Sequence, residues 1–153
     1  DHGTSRGLGD VYKRQVLSAE IIIDNKTFSS IRNGCLLFIC IEESDSVENI
    51  KEMTNKIINF KMLDGPKGIS SRSLKNSNEE VLIVSQFTLA AITNKGNKPS
   101  FHKAAKPDNA KLLYDKFLRE FRNLFPKVEE GKFGAFMEIH LVNKGPVTFN
   151  FKT

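Results

Sequence analysis

Tryptophan is absent from the 153 residues, and cysteine, methionine and histidine are sparse, at two, three and three. Both cysteines, Cys35 and Cys40, fall inside one apolar run, CLLFICI. Five positions apart on a strand, they face opposite sides and are not placed to pair with each other. Without further cysteines or a metal-ligand spacing, a disulfide scaffold and a zinc module are excluded, no metal or cofactor is expected, and a reduced intracellular protein is the natural reading. No run of 18 apolar residues exists, so no membrane-spanning helix is expected. A phosphate-cradling glycine loop is also missing.

The shortage of histidine limits the catalytic options. His2 stands in an atypical N-terminal segment, and His102 lies in a lysine-rich stretch suited to phosphate contact or plain exposure. His140 alternates with Glu138, the pattern of a solvated strand face. None of the three is set beside both a nucleophile and an orienting acid, as a triad requires. No pair of carboxylates announces acid–base work.

What is present is enough for one domain, with a core that buries about 68% of the unfolded surface. The formal net charge is +5 and the pI near 9.2, a mild bias toward an anionic partner, nucleic acid first. Lys95, Lys98, Lys103, Lys106 and Lys111 concentrate that charge in one span whose only acid is Asp108. Residues 1–15, DHGTSRGLGDVYKRQ, show neither structural period and lack the apolar core of a signal peptide. They are expected to be a non-native or disordered tail, followed by a single domain over 16–153.

The periodicity predicts a strand over 16–23, a turn at Asp24-Asn25-Lys26 and a returning strand over 27–31. CLLFICI and VLIV (81–84) are continuous apolar runs of strand length, buried on both faces. Val47, Ile50, Met53, Ile57 and Ile58 recur at helical spacing behind Ser44-Asp45-Ser46, with Asp45 and Glu48 at capping-box distance. The span 64–80 reads as a loop with one short extended piece. A second helix starts at Pro107-Asp108, with Leu113, Phe117, Phe121 and Leu124 as its buried stripe. A last strand pair, FMEIHLV and VTFNF, flanks Gly145-Pro146.

Two segments are over-specified for packing alone. Ser85-Gln86-Phe87-Thr88 ends a buried strand, where polar groups face a pocket on a rigid backbone. Gly145-Pro146 sets the most permissive residue beside the most constrained one in the middle of strand sequence.

VSQFTLAA, KGNKPSFHKAAKP, LLYDKFLREF, GKFGAFM and NKGPVT occur here in an order that resembles the D-aminoacyl-tRNA deacylases, over about residues 16–153. SQFTL together with NxGPVT is a specific combination. The likeness fails at the start, where the family's Gln-Arg-Val is replaced by Arg14-Gln15-Val16, and in the span 64–80.

The resemblance implies an α/β fold: a curved, barrel-like, mostly antiparallel sheet with two main helices packed on it. It implies hydrolysis of the ester joining a D-amino acid to the terminal adenosine of tRNA, by a cytoplasmic homodimer with its pockets at the interface. Ser85, Gln86, Phe87 and Thr88 would line one wall. Gly145 and Pro146, joined by a cis bond, would close it from the other subunit. Phe133, Met137 and Ala110 would surround the adenosine. For the attacking step, Thr88 as nucleophile and the ribose 2′-hydroxyl assisting a water both stay open, the second favoured because no base is evident beside Thr88. Two other functions compete: a non-catalytic nucleic-acid-binding homodimer that retains the fold, and an editing deacylase aimed at glycine or a small L-residue.

Overall fold

The computed structural model describes residues 10–86, 94, 96–101 and 104–151, with Asp10 and residues 146–150 described only by their place in the strands. In chain order the elements are β1 (Asp10–Ile23), β2 (Lys26–Ile31), β3 (Gly34–Cys40), α1 (Val47–Asn59), β4 (Leu63–Gly65), β5 (Gly68–Arg72), β6 (Glu80–Ser85), α2 (Pro107–Leu124), β7 (Val128–Glu130) and β8 (Glu138–Phe151).

β1 is the axis of the main sheet. It turns into β2 through Asp24 and Asn25, both at positive φ (51° and 63°), the left-handed pair that a two-residue hairpin demands. Ile31 faces Ala19 and Gly34 faces Val16, so β2 and β3 run along the same edge of β1 in one register, bent at Arg32-Asn33. β8 runs antiparallel along the opposite edge. Beyond β3 the sheet continues with β6 and β7, both parallel to their neighbours. Three of the five strand pairings in this sheet are therefore antiparallel, as expected. The β3–β6 contact is tight at Gly34, where an added Cβ would come within 1.7 Å of the Glu80 carbonyl oxygen.

Alternation along the central strands divides the interior in two. Cys35, Leu37 and Ile39 of β3 and Val81 and Ile83 of β6 meet Ile50, Met53 and Ile57 of α1 and Tyr114, Phe117 and Phe121 of α2. Leu36, Leu82 and Val84 point the other way, into a second cluster with Val16, Ala19, Ile21 and Ile31. The sheet curls around this inner cluster until Ser29 of β2 reaches β7, where its hydroxyl donates to the Glu130 carbonyl at 2.9 Å. The barrel-like form and the two helices agree with the expected fold.

Several local expectations are corrected. β1 starts at Asp10, not Val16. Asp10–Gln15 pairs with β3, and Lys13 and Gln15, which were expected in a non-native or disordered tail, are buried. The Lys13 ammonium donates to the Met62 carbonyl at 2.9 Å, and burial holds its pKa below the usual lysine range. Residues 1–9 lie outside the described residues. The capping box of α1 is Ser46 with Asn49, because Asp45 is turned inward and accepts from the Glu42 N–H at 2.7 Å. In α2 the buried stripe is Tyr114, Phe117, Leu118 and Phe121, and Leu124 is half exposed. The span 64–80 carries the β4–β5 hairpin, and β7 was not foreseen. Both cysteines are free and buried, and burial pushes the Cys35 thiol up to about 12. Among the described residues no helix is long and apolar enough to cross a membrane.

Candidate active site

β6 carries the SQFT segment to its position. Ser85 is its last residue, half-buried and in register with Ile39, and by alternation it shares the helix-facing side with Val81 and Ile83. Gln86 follows, exposed, with its backbone N–H donating to the Ile39 carbonyl at 2.7 Å. The parallel pairing with β3 thus continues to the first two residues of the motif. Phe87 and Thr88 lie outside the described residues.

Two of the residues expected around the adenosine approach the same end of β6 from two elements. The Ile83 carbonyl, two residues before Ser85, accepts the Tyr114 hydroxyl at 3.3 Å and the Gly131 N–H at 2.9 Å. This fixes α2 and the loop after β7 to one point. Ala110 sits one turn before Tyr114, half-buried against the helix-side core, and Phe133 packs there too, its ring centroid 5.4 Å from that of Tyr114. The Lys111 ammonium stands 6.0 Å from the Phe133 centroid and pairs with Asp115 at 2.8 Å.

Met137 does not join Ala110 and Phe133. It packs against the inner cluster, and an added Cβ on Gly131 would come within 2.9 Å of its sulfur. Tyr114 was not among the residues expected at the site, whereas Lys111 was expected only as one of the phosphate-facing lysines. The signal for Tyr114 was its place one helical turn beyond Ala110, on the face that α2 turns to β6. Its phenol is held in the protonated form, burial raising its pKa.

Gly145 and Pro146 fall within β8, so the expected strand pair is one strand with an interruption. Asn143 pairs with Val16 and Thr148 with Arg14, so residues 144–147 bulge out opposite the single residue Gln15. Gly145 is exposed, at φ 67°, with nothing within 4 Å of where a Cβ would stand, and the Asn143 side-chain amide donates to its carbonyl. Among the described residues no peptide bond is cis. The isomer expected at Gly145-Pro146 falls on Pro146, whose placement beyond the strand assignment lies outside the described residues.

Within one copy of the chain, the bulge and Ser85 are far apart on the sheet. β1 and β3 separate β8 from β6, three strand spacings or about 14 Å. Ser85 is in line with Ile39 and Val11, while the bulge faces Gln15, about 13 Å further along. Apolar surface lies open beside the bulge: Leu17 and Val142 are 48% and 51% exposed on the β1–β8 seam.

Lys98, Lys106, Lys111 and Lys132 are exposed. Lys95, His102 and Lys103 lie outside the described residues, as does His2. His140 is exposed and its Nε2 meets Glu138 Oε1 at 3.1 Å, which fits a solvated strand face. Among the described residues no group of three or more histidine, cysteine or acidic side chains could hold a metal ion.

Comparison with known proteins agrees with the motif order. A D-aminoacyl-tRNA deacylase of Francisella tularensis subsp. novicida is 40% identical over 139 residues, covering 91% of this chain and 96% of that one. The D-aminoacyl-tRNA deacylase of Thermosipho africanus is 43% identical over 135 residues, covering 88% and 91%. A solved structure titled c-Myc DNA unwinding element binding protein superposes with a TM-score of 0.88 at 32% identity, over 94% of this chain and 98% of its own. The family described as D-Tyr-tRNA(Tyr) deacylase matches residues 13–152, and the chain belongs to that family.

Proposed function

We propose that this protein hydrolyses the ester between a D-amino acid and the terminal adenosine of tRNA, releasing both, and that it works in the cytoplasm as a homodimer. Ser85, Gln86, Phe87 and Thr88 of one copy form one wall of each pocket, and Gly145 and Pro146 of the other copy close it. Family membership over 13–152 supports the reaction. The observation that carries the dimer is the separation of the Gly145 bulge from Ser85 across and along the sheet, with open apolar surface at Leu17 and Val142 beside the bulge. A pocket containing both motifs needs two copies.

Selection then follows from geometry at the substrate Cα. Backbone carbonyls around Gly145-Pro146 hold the ammonium group, and the SQFT wall holds the ester. Two directions remain for the side chain and the hydrogen. In one enantiomer the side chain points to solvent; in the other it strikes the main chain at Gly145. Glycine brings the backbone close because no Cβ intervenes, and a cis bond to proline costs only about 0.5–1 kcal/mol. Rejection by main chain is indifferent to side-chain identity, so many D-residues pass. Glycine, with hydrogen in both directions, is also turned over, slowly.

The carbonyl oxygen gains charge in the transition state. Backbone N–H groups at Phe87 and Thr88 are the donors, each worth roughly 2.7–4 kcal/mol. The ribose 2′-hydroxyl assists the attacking water. Ala110 and Phe133 hold the adenosine from the helix side, with Met137 at the far end of the same loop. The lysines meet phosphates of the acceptor end, so binding weakens steeply with salt.

A second reading has one observation in its favour. The solved structure at 32% identity is titled a DNA-unwinding-element binding protein, so the fold is associated with a nucleic-acid-binding function. On that reading the chain binds without turnover. One assay decides: D-tyrosyl-, L-tyrosyl- and glycyl-tRNA incubated with micromolar protein. The deacylase clears the D-ester fast and the glycyl ester slowly, and leaves the L-ester. Intact D-tyrosyl-tRNA beside measurable tRNA binding would favour the second reading.

A further inference from the structure

Phe136 is 95% exposed, the most exposed of the large apolar side chains described. Its backbone is well anchored. Three residues earlier, Phe133 is held against Tyr114, and one residue later Met137 packs into the inner cluster. The Gly131 N–H donates to the Ile83 carbonyl at 2.9 Å and the Ala135 N–H to the Lys132 carbonyl at 3.1 Å. A phenyl ring is thus presented to water by a fastened loop.

The surroundings fit one kind of occupant. Lys132 is exposed, and among the described residues it takes part in no ion pair given by the geometry. An exposed ring and an exposed cation at the two ends of one turn, closed by the Ala135 N–H to Lys132 carbonyl bond, are the combination that single-stranded nucleic acid uses: base on ring, phosphate on ammonium. A second copy of this chain fits less well. The apolar patch at Leu17 and Val142 is about 20 Å further along β8, and the polar pair Glu138–His140 stands between.

We propose that Phe136 stacks the base of the nucleotide preceding the terminal adenosine in the single-stranded 3′ end of tRNA, with Lys132 on the intervening phosphate. This rests on the reading that Phe133 and Met137 neighbour the adenosine. Phe136 lies within about 10 Å of chain from Phe133, a span that matches the next nucleotide and not a distant one.

The test compares two substrates on wild type, Phe136→Ala and Phe136→Tyr: D-tyrosyl-tRNA, and D-tyrosyl esterified to adenosine alone. Stacking predicts that Phe136→Ala raises KM for the tRNA roughly 5- to 100-fold and leaves hydrolysis of the adenosine ester unchanged. Phe136→Tyr restores the wild-type KM. A tRNA abasic at the penultimate position should show the same loss on wild type and no further loss on Phe136→Ala. No change on the tRNA, an equal fall on both substrates, or a drop from dimer to monomer mass in Phe136→Ala would each overturn the proposal. A wild-type protein inert on both substrates would instead sink the deacylase reading beneath it.

Discussion

Ser29 and Glu130 are 101 residues apart in sequence, yet the Ser29 hydroxyl donates to the Glu130 carbonyl at 2.9 Å. This bond links β2 to β7, the two ends of the hydrogen-bonded path β2–β1–β3–β6–β7, and so holds the curl of the sheet around Ile21, Leu36 and Val84. Ser29→Ala should lower unfolding free energy by about 0.5–1.5 kcal/mol, read as a lower urea midpoint with an unchanged slope.

Acid should weaken the β3–β6 seam at Glu80. Its carboxylate accepts the Arg32 backbone N–H at 2.8 Å and pairs with the Arg32 guanidinium at 3.3 Å, and chiefly the backbone bond holds its pKa below the ordinary glutamate value. A depressed folded pKa means that the unfolded chain takes up the proton first. The contribution is complete above the unfolded value near 4.3 and is lost as pH falls from there through the folded value. Arg32 is largely exposed, so the size is below about 1 kcal/mol. Urea midpoints measured from pH 6 to 3 should fall less steeply in Glu80→Gln than in wild type.

Thr88 and the ribose hydroxyl can be separated by chemistry. Thr88→Ala should retain D-tyrosyl-tRNA hydrolysis within about tenfold of wild type, because the sequence offers no evident base to activate its hydroxyl. A substrate ending in 2′-deoxyadenosine should lose at least about a hundredfold, in the range of general acid–base assistance. Single-turnover rates decide. A collapse of several orders of magnitude in Thr88→Ala would move the nucleophile onto the protein.

The proposed subunit interface is tested at Val142. Val142→Asp places a charge on the half-exposed patch beside the Gly145 bulge. Light scattering should show monomers, and D-tyrosyl-tRNA hydrolysis should vanish with the dimer. A fully active dimeric variant would move the interface elsewhere.

Continuous apolar runs made β3 and β6 legible, and helical spacing did the same for α1 and α2. The misses have local causes. Lys13 and Gln15 look like surface residues, but alternation puts them on the side of β1 that Val11 turns to the helix-side core, and an amine at the end of an apolar stem finds the Met62 carbonyl. β7 is three residues long and gives no periodic signal. Ser46 outcompeted Asp45 as the cap because the Asp45 carboxylate bonds to Glu42. At the candidate site, motif order grouped Ala110, Phe133 and Met137; the first two pack on the helix side and Met137 on the inner cluster. The carbonyl of Ile83, where Tyr114 and Gly131 converge, has no side-chain signature and is visible only in three dimensions.

β8 follows every other described strand in the chain and alone covers the far edge of β1. On the ribosome, roughly 115 residues are added between the end of β1 and the start of β8, a delay on the order of ten seconds. Throughout that interval β1 offers a long row of unsatisfied amides, a template for pairing with other nascent chains. Biogenesis of this protein therefore depends on shielding a half-finished sheet, and a translation stall late in the message would release a species that is sticky along one side.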